Sequence, residues 1–271
     1  MEKENISLKE RMSALRATTD YHLPTKGYVM IMIDGHKFSS YVKKRFKLPF
    51  DEQFINMMNE TAKYVCSKVE GCKFAYVQSD EITFVLTDFD NENTCAAFGN
   101  RLTKLTSLIP AMAASRFNQL AVLNMCDTPC SNADLKQMIE GMHLCEFDAK
   151  VWFTENYMDV YSYYLWRQID CIRNSKQQTA QTYLSHKQLH GKHTDEQIDI
   201  LLAEKGIDWN TFPDDQKYGR FIYKEEVEIE SPNSDEPVKR KKWFIHDAFP
   251  IATEEGRERF LNLNVIPVKQ N

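Results

Sequence analysis

The chain of 271 residues sets 34 Lys and Arg against 39 Asp and Glu, a formal net charge of −5, with 42% hydrophobic residues. That suits one large globular domain, or a domain with an appendage, and lacks the overall basic charge that advertises nucleic-acid binding, so any such contact falls to a local patch. No apolar run nears the ~20 residues of a membrane span, the polar start Met1–Asn5 reads as neither signal nor transit peptide, and seven scattered cysteines without a CxxC pair read as reduced thiols of a cytoplasmic protein.

Residues 6–20 predict a short helix carrying Leu8, Met12 and Leu15. A strand over 27–34 follows. Its apolar run Met30-Ile31-Met32-Ile33 ends on Asp34, and Gly35 lets the backbone turn and approach a ligand. Residues 51–69 predict a helix, because Phe54, Met58, Ala62, Val65 and Val69 recur every three to four positions. A hairpin over 73–87 has Asp80 and Glu81 between two apolar runs. Ala96, Ala97, Leu102 and Leu105 mark a helix over Asn93–Leu108; 116–126 and 150–154 read as strands, with a helix near 132–142 between them. A long helix spans Met158–His186, and another opens at Thr194 as N-cap, with Ile198, Leu201 and Leu202 as its stripe. Residues 219–247 form an exposed hairpin with arms Phe221-Ile222-Tyr223 and Trp243-Phe244-Ile245 and the turn Ser231-Pro232-Asn233-Ser234-Asp235. The tail after 250 has no readable pattern.

Strand-helix-strand-strand-helix-strand is the ferredoxin-like order, the palm of polymerases and nucleotide cyclases. The expected fold class is therefore α+β. A palm-type catalytic domain occupies 1–155, and C-terminal helices and an extended β-hairpin arm, 156–271, pack onto it.

A lone Asp-Gly is ordinarily a turn, and a lone Ser-Asp-Glu a solvated hairpin tip. Carried on two strands, Asp34 and Asp80 can share divalent metal, the minimum for two-metal phosphoryl or nucleotidyl transfer. Mg²⁺ needs only one or two carboxylates plus substrate phosphates, so no His or Cys cage is required. Strand alternation sends Asp80 and Glu81 to opposite faces. The choice for the residue facing Asp34 falls on Asp80, with Glu81 as a further catalytic candidate. His186, His190 and His193 lack a complementary carboxylate or thiol for zinc, and Cys126 and Cys130 read as buried apolar residues.

Five motifs follow one another across about Leu8 to Phe249: Glu10-Arg11-Met12, Ile33-Asp34-Gly35-His36-Lys37-Phe38, Ala75-Tyr76-Val77-Gln78-Ser79-Asp80-Glu81, Phe147-Asp148-Ala149-Lys150 and Tyr164-Leu165-Trp166-Arg167-Gln168-Ile169-Asp170. In this order the chain resembles the tRNA-histidine guanylyltransferases and their guanylyltransferase-like relatives, the 3′-to-5′ polymerases. The resemblance implies two Mg²⁺ ions held by Asp34, Asp80 and the Gly35 carbonyl. It implies a nucleotide triphosphate held by the backbone of Gly35, His36, Lys37 and Phe38 with Ser79; Ser39, Lys47 and Asp51 join these candidates. It also implies tRNA as polynucleotide substrate, ATP or GTP to activate a 5′-monophosphate, and a homo-oligomer, often a tetramer.

The chain departs from the family pattern in three places. Ile172-Arg173-Asn174-Ser175 stands where histidine-tRNA enzymes carry His-Ile-Asn-Asn, Met32 replaces an Arg, and Leu48 replaces a Lys, with Lys47 next door. This looks like the branch that repairs truncated tRNA 5′ ends by templated addition. The alternatives are G₋₁ addition to histidine tRNA and, from other classes, a non-catalytic palm domain that binds nucleotide or RNA, or a cyclase-like enzyme. Arg167, Asp170 and Asn174 share a helix face and fit either a surface ion pair or, with Arg173, an edge for tRNA or triphosphate. Arg101 and Lys104 fit a solvated helix face or the phosphates of the activating nucleotide. Lys239, Arg240, Lys241 and Lys242 fit a guarded edge strand or phosphate contact.

Overall fold

The computed structural model describes residues 6–126, 131–231 and 234–269; the start Met1–Asn5, Cys130 and the Pro232-Asn233 centre of the hairpin turn lie outside the described residues. In chain order the elements are α1 (Leu8–Ala17), β1 (Tyr28–Gly35), α2 (Phe38–Arg45), α3 (Glu52–Lys68), β2 (Cys72–Gln78), β3 (Glu81–Thr87), α4 (Leu102–Cys126), α5 (Asn132–Glu140) and β4 (Phe147–Thr154). They continue with α6 (Tyr157–Tyr183), α7 (His186–Leu189), α8 (Thr194–Lys205), α9 (Asp214–Tyr218), β5 (Arg220–Ser231), β6 (Ser234–Asp247) and α10 (Glu254–Asn262).

The strands form one antiparallel sheet in the order β4-β1-β3-β2-β5-β6. Its first four have the ferredoxin-like order, and the fold is α+β as the sequence predicts. Alternation divides the strand side chains between two cores. Ile31, Ile33, Val77 and Phe84 pack with α3 and α4 on one face. Tyr28, Met30, Phe74 and Tyr76 pack with α6 and α10 on the other. Each such side chain contributes about 1.5–3 kcal/mol when fully buried, so both ends of the chain sequence are held to the same sheet.

The segment 116–126 is not a strand but the second half of α4. Leu105, Ile109, Ala113, Phe117 and Ala121, four residues apart, are all buried. The helix runs on through Pro110, whose ring removes one backbone hydrogen bond that the buried stripe offsets. The expected helix over 93–108 instead starts at Leu102, after a short 3₁₀ turn in which Phe98 and Gly99 take positive φ. The fourth strand begins at Phe147, and α8 has His193 rather than Thr194 as its N-cap, with the His193 amide donating to Glu196 at 2.7 Å. Cys126 is exposed, not buried. Helices α2 and α10 were not expected from the pattern. The tail packs Phe260 and Ile266 into the second core, and the Tyr28 hydroxyl donates to the Pro267 carbonyl at 2.8 Å.

The hairpin is exposed only in part. The first four residues of β5 pair with β2, from Tyr223 opposite Phe74 to Arg220 opposite Val77, and its later residues pair only with β6. Among the described residues no helix is long and apolar enough to cross a membrane.

Candidate functional site

The apolar run of β1 ends at Ile33, and Asp34 follows directly opposite Glu81 of β3 and Asp148 of β4. Asp80 sits in the two-residue turn between β2 and β3, where Ser79 takes a φ of 45°. The carbonyl of Asp80 accepts the Gly35 amide at 3.1 Å. That bond ties the hairpin tip to the end of β1 and brings Asp80 to Asp34. Burial pushes Asp34 up from its ordinary 3.8 to about 6, and Asp80, Glu81 and Asp148 add to the rise while Lys150 opposes it. Burial also raises Asp80, against its backbone bond and the Ser79 hydroxyl.

Two carboxylates short of countercharge are the donor set a hard divalent cation fits. Among the described residues no three His, Cys, Asp or Glu side chains converge on one point. A cation bound by Asp34 and Asp80 would therefore fill its remaining positions from the Gly35 carbonyl, water and ligand oxygens, which is how Mg²⁺ is held.

The register corrects the expected partner of Asp34. Glu81, not Asp80, lies across from it in the ladder, because Asp80 belongs to the turn. Glu81 is 8% exposed, and its oxygens are taken: Arg167 donates from Nε at 2.7 Å and from Nη2 at 2.5 Å, and Gln78 Nε2 donates at 3.2 Å. Arg167 also donates to Asp170 at 2.7 Å, and Arg173 meets Asp170 at 2.9 Å. Glu81 and Arg167 thus anchor α6 to the end of β3, with all three guanidinium nitrogens and both Glu81 oxygens already bonded. Of that face, exposed Arg173 and Asn174 remain available.

Gly35 is required by its neighbour: a Cβ would lie 2.4 Å from the Phe38 ring. That ring is 1% exposed and wedged among Tyr41, Phe54, Phe117 and Phe147. Lys37, at φ 58°, turns the chain into α2, and no side chain caps that helix. The amides of Phe38 and Ser39 are thus placed for an anion at the positive end of the helix, whereas the Ser40 amide is spent on the Lys37 carbonyl at 3.2 Å and the His36 amide on the Glu146 carbonyl at 2.9 Å.

Beside them opens a cleft of about 480 Å³ lined by Phe38, Ser39, Ser79, Asp80 and Asn174. Ser79 and Asn174 also line a narrow, more enclosed pocket of about 60 Å³ that contains Lys47, Asp51 and Arg220. The cleft and pocket are therefore neighbours that share a wall. Asp51 is a structural member of this wall. Its carboxylate accepts the amides of Gln53, Phe54 and Lys47 at 2.9, 3.1 and 3.0 Å, capping α3 and closing the loop before it.

Two sets of candidates are not brought to the cleft. Arg101 forks onto Asp20 with both bonds at 2.5 Å, and Asn100 is tied to Leu23 and Pro24, just before β1. Asp34 lies at the far end of that strand, about 20 Å away at ~3.3 Å per residue, so Arg101 and nearby Lys104 stand at the opposite edge of the sheet. On β6, Lys239 and Lys241 lie opposite Glu228 and Glu226, and Arg240 opposite Val227. Lys239 pairs with Glu226 at 2.9 Å. The basic run is thereby matched by an acidic one on β5. Two lining features escaped the sequence reading: the amide row Gln177, Gln178 and Gln181 on α6, legible as a polar helix face, and Arg220, for which the sequence carries no signal.

The chain is similar in sequence and in fold to known proteins. The profile of the tRNAHis guanylyltransferase family matches residues 9–155. The tRNA(His) guanylyltransferase of Schizosaccharomyces pombe is 28% identical over 234 residues, 80% of this chain and 82% of that one. A bacterial tRNA(His) guanylyltransferase (Thg1)-like protein in complex with ATP superposes with a TM-score of 0.79 at 30% identity, covering 96% of this chain and 99% of that one. A bacterial tRNA(His) guanylyltransferase (Thg1)-like protein in complex with GTP gives 0.70 at 28% identity, covering 94% and 97%.

Proposed function

The chain belongs to the tRNAHis guanylyltransferase family, and from that premise we propose that this nucleotidyltransferase extends tRNA at the 5′ end, in the 3′-to-5′ direction, as an Mg²⁺-dependent templated repair enzyme. ATP or GTP transfers its nucleoside monophosphate to the 5′-phosphate with release of pyrophosphate, and the 3′-hydroxyl of the incoming nucleotide then attacks that 5′-phosphate and expels AMP or GMP. The observation that carries the reading is the Gly35–Asp80 bond, which joins Asp34 and Asp80 at the mouth of a cleft beside an uncapped helix.

Two Mg²⁺ ions held by Asp34, Asp80 and the Gly35 carbonyl would lower the pKa of the attacking hydroxyl and neutralise charge on the phosphoryl group. The chain's own groups bind and orient. The α2 amides and the Ser79 hydroxyl take triphosphate oxygens, and the enclosed pocket takes the base. Glu81 and Arg167 fix α6, so that Asn174 faces the bound nucleotide.

Repair is favoured over G₋₁ addition by where the departing residues lie. Ile172 packs against the small core between α6 and α8. Ser175 is 5% exposed, and its hydroxyl accepts the Trp209 indole N–H at 2.9 Å. Neither offers a free polar group to an anticodon. The same reading makes the enzyme a cytoplasmic homotetramer; the exposed Leu8, Met12 and Leu15 of α1 support assembly.

The test is incubation with 5′-truncated tRNAs of several anticodons, labelled GTP, ATP and Mg²⁺. Label entering truncated tRNA according to the opposite strand, whatever the anticodon, is expected. Label restricted to full-length histidine tRNA restores G₋₁ addition, and no label in RNA defeats both.

A further inference from the structure

The α6 side of the site ends in an exposed aromatic surface that this chemistry leaves unused. Asp34, Asp148 and Lys150 lie on the sheet face of the second core, since alternation groups them with Tyr28, Met30 and Trp152. Over this face Tyr163 of α6 packs against Trp152, 4.4 Å between ring centroids, and donates to Met32 Sδ at 3.4 Å. One turn on, Trp166 stands edge-on to Tyr163 at 5.5 Å, with the Arg167 guanidinium 4.9 Å from its ring. Arg167 in turn holds Glu81, which lies across from Asp34. Trp166 is thus fixed to the site, yet it is 55% exposed, and Ile169 beside it 52%. Two cations share this surface. Arg173 is exposed and meets Asp170, and Lys150 is exposed with no ion pair among the described residues.

We propose that Trp166 holds the unpaired RNA strand opposite the truncated 5′ end: a base of that strand stacks on the indole, and Lys150 and Arg173 take its phosphates. This rests on the templated reading above. A 5′-truncated acceptor stem leaves its 3′ strand single. Single-stranded RNA is gripped through bases laid on aromatic rings and phosphates met by cations, and it supplies the countercharge that Lys150 lacks. The placement fits. Helix α2, whose Phe38 and Ser39 amides suit the triphosphate, packs with α3 and α4 on the opposite face of the sheet. RNA arriving over β4 and α6 therefore reaches Asp34 without crossing the nucleotide. Reacting groups then approach the phosphorus from opposite sides, as in-line transfer requires.

The experiment is fluorescence anisotropy with two loop-labelled RNAs, a 5′-truncated tRNA and the same tRNA with its 3′ strand trimmed flush. The wild-type chain should bind the overhang RNA roughly five- to a hundredfold tighter than the flush one, the range for a stacked base. In Trp166→Ala the ratio should fall to within about twofold, with GTP binding in Mg²⁺ unchanged. Trp166→Phe keeps an aromatic face and should hold the ratio to within about threefold of wild type. Lys150→Ala with Arg173→Ala should lower the salt slope of overhang binding by roughly 1.4, the value for two single-strand phosphates. Trp166→Ala loses only a surface contact with Arg167 and should melt within about 3 °C of wild type. If it does not fold, emission decides: the overhang should quench wild-type tryptophan fluorescence and leave that of Trp166→Phe unchanged.

A wild-type chain indifferent to the overhang, or a ratio that survives in Trp166→Ala, overturns the proposal. So does a ratio that falls as far in Trp166→Phe as in Trp166→Ala. A smaller native mass of Trp166→Ala by light scattering also overturns it, because the ring would then be a contact between copies of the chain. Each of these results leaves tRNA as the substrate. A wild-type chain that binds GTP but neither RNA refutes the tRNA reading itself, and this inference falls with it.

Discussion

Asp34→Asn should stabilise the metal-free protein while destroying its activity. The carboxyl rises from 3.8 to about 6 in the folded chain, through burial and then through Asp80, Glu81 and Asp148. Once ionised, a group so shifted costs the folded state about 3 kcal/mol. Asp34 keeps some contact with solvent, which reduces the figure to about 2 kcal/mol. For a chain of this size that is roughly 4 °C in Tm. The sign follows from proton binding. Between pH 4 and 6 the folded state holds a proton that the unfolded state has lost, so stability falls as pH rises through this window and the loss is complete above it. The gain from Asp34→Asn should therefore be near zero at pH 4 and full at pH 7.5. The assay is thermal unfolding in EDTA at both pH values. Adding Mg²⁺ and GTP should reverse the order, because ligand then stabilises only the wild type. Nucleotide addition should fall more than about a hundredfold, as when a group that stabilises the transition state is removed. A variant that melts lower than wild type at pH 7.5 in EDTA, or with the same offset at both pH values, would refute the electrostatic account.

Glu81→Gln removes one of the two carboxylates that hold the Arg167 guanidinium, leaving Asp170, and should cost about 1–3 kcal/mol in urea unfolding; the double variant with Arg167→Met should regain part, and a single variant as stable as wild type would show that the clamp is dispensable. Gly35→Ala drives a methyl into the wedged Phe38 ring, so a loss of about 1–3 kcal/mol with loss of addition is expected; unchanged melting and turnover would mean that the ring can retreat. Lys239→Ala with Lys241→Ala should weaken tRNA binding less than about threefold and leave its salt slope unaltered, because these charges already face glutamates; a slope lower by about two would make them phosphate contacts.

The palm was legible because strand periodicity and its interruptions are local. Asp34 and the Ser79-Asp80 turn break apolar runs that any buried strand needs, and they fall where the sheet ends. The facing of Glu81 was not legible, since it depends on turn length. A two-residue turn sets Glu81 opposite Gln78, and the neighbouring strand then brings Asp34 to the same row. The true period of α4 was visible in Leu105, Ile109, Ala113, Phe117 and Ala121, but Pro110 and the extended preference of the residue before it argue for a break. The buried stripe outweighed that local preference. The pairing of Arg101 with Asp20 spans 81 positions and has no local mark. The neutralisation of Lys239 to Lys242 was readable from Glu225, Glu226 and Glu228 on the other arm once strand pairing is counted back from the turn.

The route of the tail bears on how the molecule is made. Tyr28 lies in the first strand, yet its hydroxyl is satisfied by Pro267 and receives the Lys269 amide at 3.0 Å, 241 positions away. Phe260 and Ile266 cover the same sheet face as Tyr28, Met30, Phe74 and Tyr76. During synthesis the four palm strands leave the ribosome long before that cover exists. The face against α3 and α4 can close early, but the other waits bare for α6 and then for α10 and the residues beyond it. Closing a loop of that span is slow, and a bare aromatic sheet invites other chains. The nascent protein should therefore engage chaperones from the emergence of β4 until about residue 266 is free, and folding should finish only after translation has passed α10.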